Sequence, residues 1–532
     1  MHLCNATRVD ARITVLPLAL HAPDTLRYAP LPKPGDGAHL GQFREGGSLM
    51  FLSEPAMPMS SGDDIASSAD EDDFICNTSE TLFAAIEKCL DNGLGSCLVV
   101  EGKRLVGRIS LDDIARAVHG GALLKPGLDH FMATFADRRR NDVSRKKDVL
   151  RPIVDDYGHL LGVSIERSDE FVQVARPDMS HLEFRAVLDA FLSSWISSKG
   201  PYVERFEDEF RSFVGSAHGV AVTNGTVALH LALVALGIGP GHEVIVPDLT
   251  FAATINAVLY CGATPVIVDV DPVTWCMSLA TVKAACTPRT RAIIPVHLYG
   301  RPAEIGPIVQ CARERGIFVI EDCAEAHGAR YEGRPVGQFG DIGCFSFYAN
   351  KIVTTGEGGM CLTSDPAIAK SLRVLRDHGM TPSRSYWHER VGFNYRITNL
   401  QAAIGQAQLW RIESILARNS TIARLYEVAM RDIPGVRFPP QMDSKSMPVV
   451  WLTCVQVPEA ARNEILSRAL EARLEMRPFF HTLSSLPLYE KYARDYQHSA
   501  RLAATGICLP TQRGVDDQVV DRVAAVFRAV LA

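Results

Sequence analysis

The sequence predicts an α/β protein. It should have a mainly parallel sheet covered by helices on both faces, a small α+β domain at the C-terminus, and a second α+β module ahead of the sheet. Three observations carry this. Runs of branched apolar residues at Gly219–Thr223, Glu243–Val246, Pro265–Asp269, Ala292–Val296 and Phe318–Glu321 alternate with helical spacings, and strands apolar on both sides belong in parallel sheets buried under helices. The residues able to do chemistry collect just after these runs, where ligands sit in open parallel sheets. The chain has 532 residues, more than one core organises, so two to four domains are expected.

Composition narrows the function. The formal net charge is −6 and the pI about 6.3, without the basic stripe that a nucleic-acid partner requires. No apolar run reaches the ~18 residues of a membrane span. Ile13–Leu20, after Arg8 and Arg12, is too short for a secretory leader and is broken by Pro17. Thirteen cysteines occur without C-x-x-C pairs, which fits reduced thiols in a cytoplasmic protein better than a disulfide frame or a zinc site. No metal is expected.

In chain order, residues 1–65 show neither helical nor strand period and read as a disordered or loosely structured extension. Met50, Met57 and Met59 are alternative starts, which would make the first fifty residues an upstream extension. The acidic run Asp63, Asp64, Asp70, Glu71, Asp72 and Asp73 reads as a solvated linker. A module is expected over 66–170. Ser79–Leu90 has helical spacing with Thr78 or Ser79 as N-cap. Cys97–Val100 and Leu105–Ser110 read as strands around a Glu101-Gly102 turn, and Asp112–Val118 opens a second helix. Leu150–Val154 and Leu160–Ile165 repeat the strand pair.

This order resembles the cystathionine-β-synthase (CBS) module in two copies. The resemblance implies a cleft for an adenine nucleotide, with the ribose held by a Gly-x-x-Ser/Thr-x-x-Asp run. The first copy has it in Gly107, Ser110 and Asp113; in the second, Gly162 is followed by Ile165 and Ser168, so hydroxyl and carboxylate are displaced. The basic groups Arg138–Arg140 and Arg145–Lys147 suit either phosphates or a solvated face. A structural or dimerising appendage without ligand is the other reading.

Arg176-Pro177-Asp178 reads as the joint to the main body, a large domain over 176–420 followed by a small domain over 421–532. His181–Leu192 and Val203–Val214 are helical, separated by the breaker Trp195–Pro201. Thr223-Asn224-Gly225-Thr226 follows a strand and opens a helix, whose N-terminus favours an anion such as phosphate. Glu321-Asp322 ends another strand, and Asp322 suits a pyridine nitrogen, since a carboxylate there keeps the ring protonated as an electron sink. Phe251 suits stacking on a flat ring. Ser346 lies five residues before Lys351, close enough to reach the same phosphate. Lys351 stands between an apolar strand and Gly356, Gly358 and Gly359; a lysine held there can bond an aldehyde cofactor once its amine is deprotonated. Asn394 and Arg396 sit on a loop entering a helix.

Taken together and in order, Gly200-Pro201, Asn224–Thr226, Pro247–Phe251, Pro295–Gly300, Glu321-Asp322, Phe345–Phe347, Lys351, Gly356–Gly359 and Gly392–Arg396 resemble the DegT/StrS sugar aminotransferases over about residues 182–532. These are pyridoxal 5′-phosphate enzymes of the aspartate-aminotransferase fold (fold type I). The resemblance implies a homodimer with its active site between subunits. Lys351 bonds the cofactor; Gly225, Thr226 and Ser346 hold its phosphate, with Asn394 arriving from the partner chain. Asp322 meets the ring nitrogen and Phe251 stacks on the ring. Glu325 stands near the cofactor hydroxyl, where many members have glutamine. Tyr386–Arg396 and Glu325 are most similar to the GDP-perosamine synthase branch, which moves an amino group from L-glutamate to C4 of a GDP-linked 4-keto-6-deoxy sugar for polysaccharide synthesis. Trp387, Arg396 and His481 are the implied substrate residues; at His481 the family often has tyrosine. UDP- or dTDP-linked keto sugars are alternative substrates, and a CBS-regulated sensor without turnover is the rival outside catalysis.

Overall fold

The computed structural model of the chain describes residues 71–119, 149–154, 160–166, 171–381 and 383–531. The expected extension over 1–65, most of the acidic linker and both basic groups of the module lie outside the described residues.

The module's sheet has the order Ile75–Asn77, Ser96–Glu101, Arg104–Ser110; its first pair is parallel and its second antiparallel. Helix Leu82–Asp91 covers it and buries Ala85 and Cys89 against Cys76, Cys97, Val99 and Ile109. The helix starts later than the spacing suggested, and its N-cap is Thr81, whose hydroxyl accepts from the Ala84 amide at 3.1 Å. Thr78 and Ser79 are used in a turn instead: the Asn77 side chain accepts from the Ser79 amide, and the Asn77 amide donates to Glu80. A local side-chain turn competes with helix initiation, and here it wins. Val149–Val154 and Leu160–Glu166 pair antiparallel.

Helix Leu82–Asp91 also lies along His181–Leu192, the first helix of the body. Arg185 donates to Glu87 at 2.7 Å, His181 pairs with Asp91 at 2.7 Å, and the rings of Phe83 and Phe184 meet at 5.3 Å. Behind that helix, the body's sheet runs in the order His218–Val222, Gly359–Thr363, Ile342–Ser346, Phe318–Asp322, Thr290–Ile293, Glu243–Pro247, Thr264–Val268. Gly359–Thr363 is antiparallel to both neighbours, and the remaining pairs are parallel. Each face of the sheet carries its own buried cluster, one around Phe206, Phe210 and Phe345, the other around Leu229, Leu231 and Val246.

The C-terminal part has the three-stranded order Thr453–Gln456, Gly506–Leu509, Arg477–Pro478 under helices Glu459–Glu471 and Asp517–Leu531. Helix Ile412–Met430 is continuous across the expected 420/421 boundary. Ile412 and Ile415 enter the large core, whereas Ile422, Tyr426 and Met430 enter the small one. One rigid helix thus serves both cores. No described helix is long and apolar enough to cross a membrane.

Candidate active site

The sheet register assembles the site. Ser346 lies opposite Gly359, and Gly359 opposite Val222. The ends of two strands separated by one antiparallel neighbour are therefore brought level. Three residues beyond Val222, Gly225 opens helix Gly225–Ala235. A Cβ on Gly225 would come within 2.7 Å of Ser346 Cβ, so only glycine fits this approach. The Asn224 side chain caps the Val227 amide at 2.9 Å, and the geometry of a helix start points the amides of Gly225 and Thr226 outward. Together with the Ser346 hydroxyl they form a donor-lined cradle for an anion.

Next along the sheet, Asp322 closes its strand and is 5% exposed. Thr254 donates to its Oδ2 at 2.9 Å and the Ala324 amide to its Oδ1 at 3.2 Å. Because side chains alternate along a strand, the adjacent Glu321 faces the other side. There it accepts from the amides of Gly337, Phe339 and Gly340 and meets His297 at 3.2 Å. The His297 Nδ1 accepts from the Ala303 amide. His297, Glu321 and Cys323 lie close enough to hold a metal ion, but the histidine and the carboxylate are already committed to this network. Of the strand's two acids, Asp322 is the one on the side of Lys351.

Lys351 sits in the turn after strand Ile342–Ser346, and Gly356, at φ +80°, lets the chain fold back into Gly359–Thr363. The lysine Nζ lies 3.5 Å from Glu325 Oε1 and 3.8 Å from the centre of the Trp451 ring. Glu325 is held on its other oxygen by the Tyr299 amide at 2.8 Å. Burial holds the Lys351 amine below its ordinary pKa, against the pull of Glu325 and Asp322. Burial raises both carboxyls, against the pull of Lys351. An amine easily freed of its proton is a better nucleophile and base. Two buried acids beside one amine lack positive charge, which a protonated ring nitrogen next to Asp322 would supply.

Phe251 keeps 59% of its surface exposed, with the Phe480 ring at 5.7 Å. Asp248 anchors the segment that carries Phe480 and the exposed His481, accepting from the Ser484 amide at 2.8 Å and hydroxyl at 3.0 Å. The other predicted residues group apart. Arg396 pairs with Asp377 at 3.1 Å and donates to the exposed Asn394 at 3.5 Å. Arg384 covers the half-exposed Trp387 ring. Among the described residues, no hydrogen bond or ion pair joins Asn394, Trp387, Arg396 or His481 to Lys351 or Asp322. In the module, Asp113 accepts from the Ser110 amide and hydroxyl at 3.1 and 2.7 Å, so the run read as a ribose contact also caps helix Leu111–His119. Sequence reasoning assigned no role to Thr254, Tyr299 or Trp451; Tyr299 lies within the Pro295–Gly300 motif, and Trp451 lies outside any motif.

A buried lysine beside one acid and near a second, an exposed aromatic ring and a helix start whose glycine tolerates no Cβ suit a pyridoxal-phosphate enzyme. The chain belongs to the DegT/DnrJ/EryC1/StrS aminotransferase family, whose model matches residues 177–528; a CBS domain matches residues 64–120, the first copy of the module alone. It is 44% identical over 364 residues to a GDP-perosamine synthase of Caulobacter vibrioides, covering 68% of this chain and 98% of the relative. It is 53% identical over 203 residues to a UDP-N-acetyl-3-dehydro-alpha-D-glucosamine 3-aminotransferase of Acidithiobacillus ferrooxidans, covering 38% of this chain and 54% of the relative. Among solved structures, the pyridoxal-phosphate form of a putative sugar aminotransferase of Streptococcus pneumoniae superposes with a TM-score of 0.63 at 27% identity, covering 67% of this chain and 97% of that one. The protein is a pyridoxal-phosphate-dependent sugar aminotransferase with an N-terminal CBS domain.

The cradle makes a direct prediction. Gly225→Ala should lower cofactor affinity about tenfold or more, since overpacking at such a contact costs ~1–3 kcal/mol. The clash with Ser346 is present without cofactor as well, so the thermal transition of the cofactor-free chain should also fall. Cofactor retained after dialysis measures the effect.

Proposed function

We propose that the protein transfers the amino group of L-glutamate to the 4-keto group of a nucleotide-linked 4-keto-6-deoxy sugar, as a GDP-perosamine synthase does, and so supplies an amino sugar for surface polysaccharide or glycoconjugate. The observation that carries this is the 44% identity running through nearly the whole length of a GDP-perosamine synthase. Pyridoxal phosphate, when bound, supplies an aldehyde that carries the amino group and a ring that takes up electrons.

The chain's own residues do the rest. Gly225, Thr226 and Ser346 hold the phosphate, Asp322 faces the ring nitrogen and Phe251 covers one ring face. Lys351 Nζ would take the proton from the donor's α-carbon and hand it to the carbon that bore the aldehyde in the first half-reaction, and would carry it from there to the sugar carbon in the second. Glu325 lies 3.5 Å from that amine and steadies its charged form between taking and giving up the proton.

The protein acts as a homodimer whose sites lie between subunits, with Asn394 of each chain serving the other's phosphate and Trp387, Arg396 and His481 meeting the sugar nucleotide. The exposed apolar surface of Phe191, Leu192, Trp195, Tyr386 and Val391 supports such an interface. A cytoplasmic location is supported by the twelve described cysteines, all free. The CBS domain takes an adenine nucleotide near Asp113 and modulates the transferase; the clasp of Glu87 and Asp91 on Arg185 and His181 is the route. Calorimetry with AMP, ATP and S-adenosylmethionine should show binding by the wild type that Asp113→Ala loses. No heat with any of them refutes the nucleotide role.

A UDP-linked sugar is the second reading, favoured by the 53% identity to the 3-aminotransferase over part of the chain. Incubation with glutamate and a panel of GDP-, UDP- and dTDP-linked keto sugars, read by mass spectrometry, decides between them. An amine gained by the GDP-4-keto sugar is the expected result; a gain on UDP sugars alone overturns it.

A further inference from the structure

Trp451 lies one hundred residues beyond Lys351 and packs against its amine. Its indole is 5% exposed. The Lys351 Nζ stands 3.8 Å from the ring centre, and the indole Nε1 donates to the Asn350 carbonyl, one residue before the lysine, at 2.6 Å. The Tyr299 ring lies nearly parallel to it, 16° apart with centres at 6.0 Å. The same Tyr299 gives its amide to Glu325, the carboxylate beside the lysine. Amine, counter-ion, backbone and indole thus form one closed set of contacts.

We propose that Trp451 is a positioning residue for Lys351: its ring seats the charged amine by cation–π attraction while its N–H locks the Asn350 peptide, giving the amine a fixed resting place whenever it is unbonded. The physical need is plain. A lysine that alternates between bonding partner and proton carrier must spend part of its cycle charged in a site that water has left. Burial disfavours that state. The groups facing the amine are Glu325, Asp322, Trp451 and the buried, neutral His327. The two carboxylates attract the ammonium but carry burial costs of their own, whereas an aromatic face attracts it without a charge to desolvate. Its rigid ring also holds the amine's position, which a carboxylate on a flexible stem does less well. This rests on Lys351 as the reactive amine but not on any particular sugar.

The test reads the amine itself. The full-length chain, freed of cofactor, is labelled with trace acetic anhydride from pH 6 to 10, and acetylation of Lys351 is followed by peptide mass spectrometry. Removing the ring lowers the amine's hold on its proton. At pH 8, Trp451→Leu should therefore acetylate about tenfold faster than wild type, the change expected for losing a desolvated cation–π contact. Trp451→Phe, which keeps a weaker π face and loses the Asn350 bond, should fall between them. The three rates should converge at high pH, where the amine is free in every variant. A constant ratio at all pH values reports access rather than protonation and overturns the proposal, as do equal rates at pH 8. Should Trp451→Leu fail to fold, the Phe variant carries the same test. A pH-dependent change in tryptophan emission that Lys351→Met abolishes is the independent second measure; emission that titrates identically in both chains also overturns it.

Discussion

Lys351→Ala is expected to lower turnover by at least about 10⁴-fold, because the proposed mechanism asks one amine both to bond the cofactor and to move the proton. The chain should still bind the cofactor through the Gly225–Ser346 cradle, but without the visible absorbance of the lysine-bonded form. The loss should not come from unfolding. Lys351 lies in a turn, and its removal leaves Glu325 and Asp322 free to take up protons, which burial already favours for both. Lys351→Arg separates the two roles. It keeps a cation over Trp451 and beside Glu325 but cannot bond an aldehyde near neutral pH. It should therefore be as inactive as the alanine variant while holding wild-type thermal stability. Turnover within tenfold of wild type in either variant would remove Lys351 from the centre of the mechanism.

How much of this was legible beforehand follows from the range of each interaction. The strand-end residues Asp322, Ser346, Gly225 and Lys351 announced themselves because a parallel sheet delivers strand ends to one edge, and because glycine marks places where backbones meet. The pairing Ser346–Gly359–Val222 is a consequence of strand order, which alternation of apolar runs implies only coarsely. The sequence put Asp322, not Glu321, toward the ring; the strand's alternation, with Glu321 turned to the amides of Gly337, Phe339 and Gly340, is the physical reason. Trp451 and Thr254 carried no local signal. Their roles come from tertiary packing across 100 and 68 residues, and an isolated tryptophan or threonine is ordinary core material. The expected cap at Thr78 or Ser79 failed to a three-residue turn, and the 420/421 boundary met a helix that serves two cores. Both misses arise where local pattern is overruled by a neighbouring element.

The second large effect is expected at Asp178, which the sequence marked only as part of a joint. The carboxylate is 7% exposed. Arg411 meets it at 3.1 Å and Arg513 at 3.2 Å, and Arg418 pairs with it as well. Arg411 also holds Glu183, the partner of the Ser180 N-cap of helix His181–Leu192. Arg513 reaches on to the Leu90 carbonyl at the end of the CBS-domain helix. A single acid thereby joins the first body helix, the two-core helix Ile412–Met430 and the N-terminal domain. Burial alone would raise its pKa, but Arg418, Arg411 and Arg513 outweigh burial and hold it below the ordinary carboxylate value. Asp178→Ala takes the shared carboxylate from three guanidinium groups, of which Arg411 keeps Glu183 and Arg513 keeps the Leu90 carbonyl, and should cost about 3 kcal/mol, the low end for breaking a buried pair from one side. Asp178→Asn, which keeps the shape and loses the charge, should cost nearly as much if charge is what matters. A depressed folded-state pKa contributes stability that is complete above the unfolded value of about 3.9 and is lost as pH falls through the folded value. The gap in thermal transition between wild type and Asp178→Ala should accordingly be flat from pH 5 to 8 and close below about pH 4. Hydrogen exchange should show the contact between Leu82–Asp91 and His181–Leu192 opening first in the variant. If both variants melt with wild type at pH 7, the hub is decorative, and the CBS domain is held by its own surface contacts at Glu87 and Asp91.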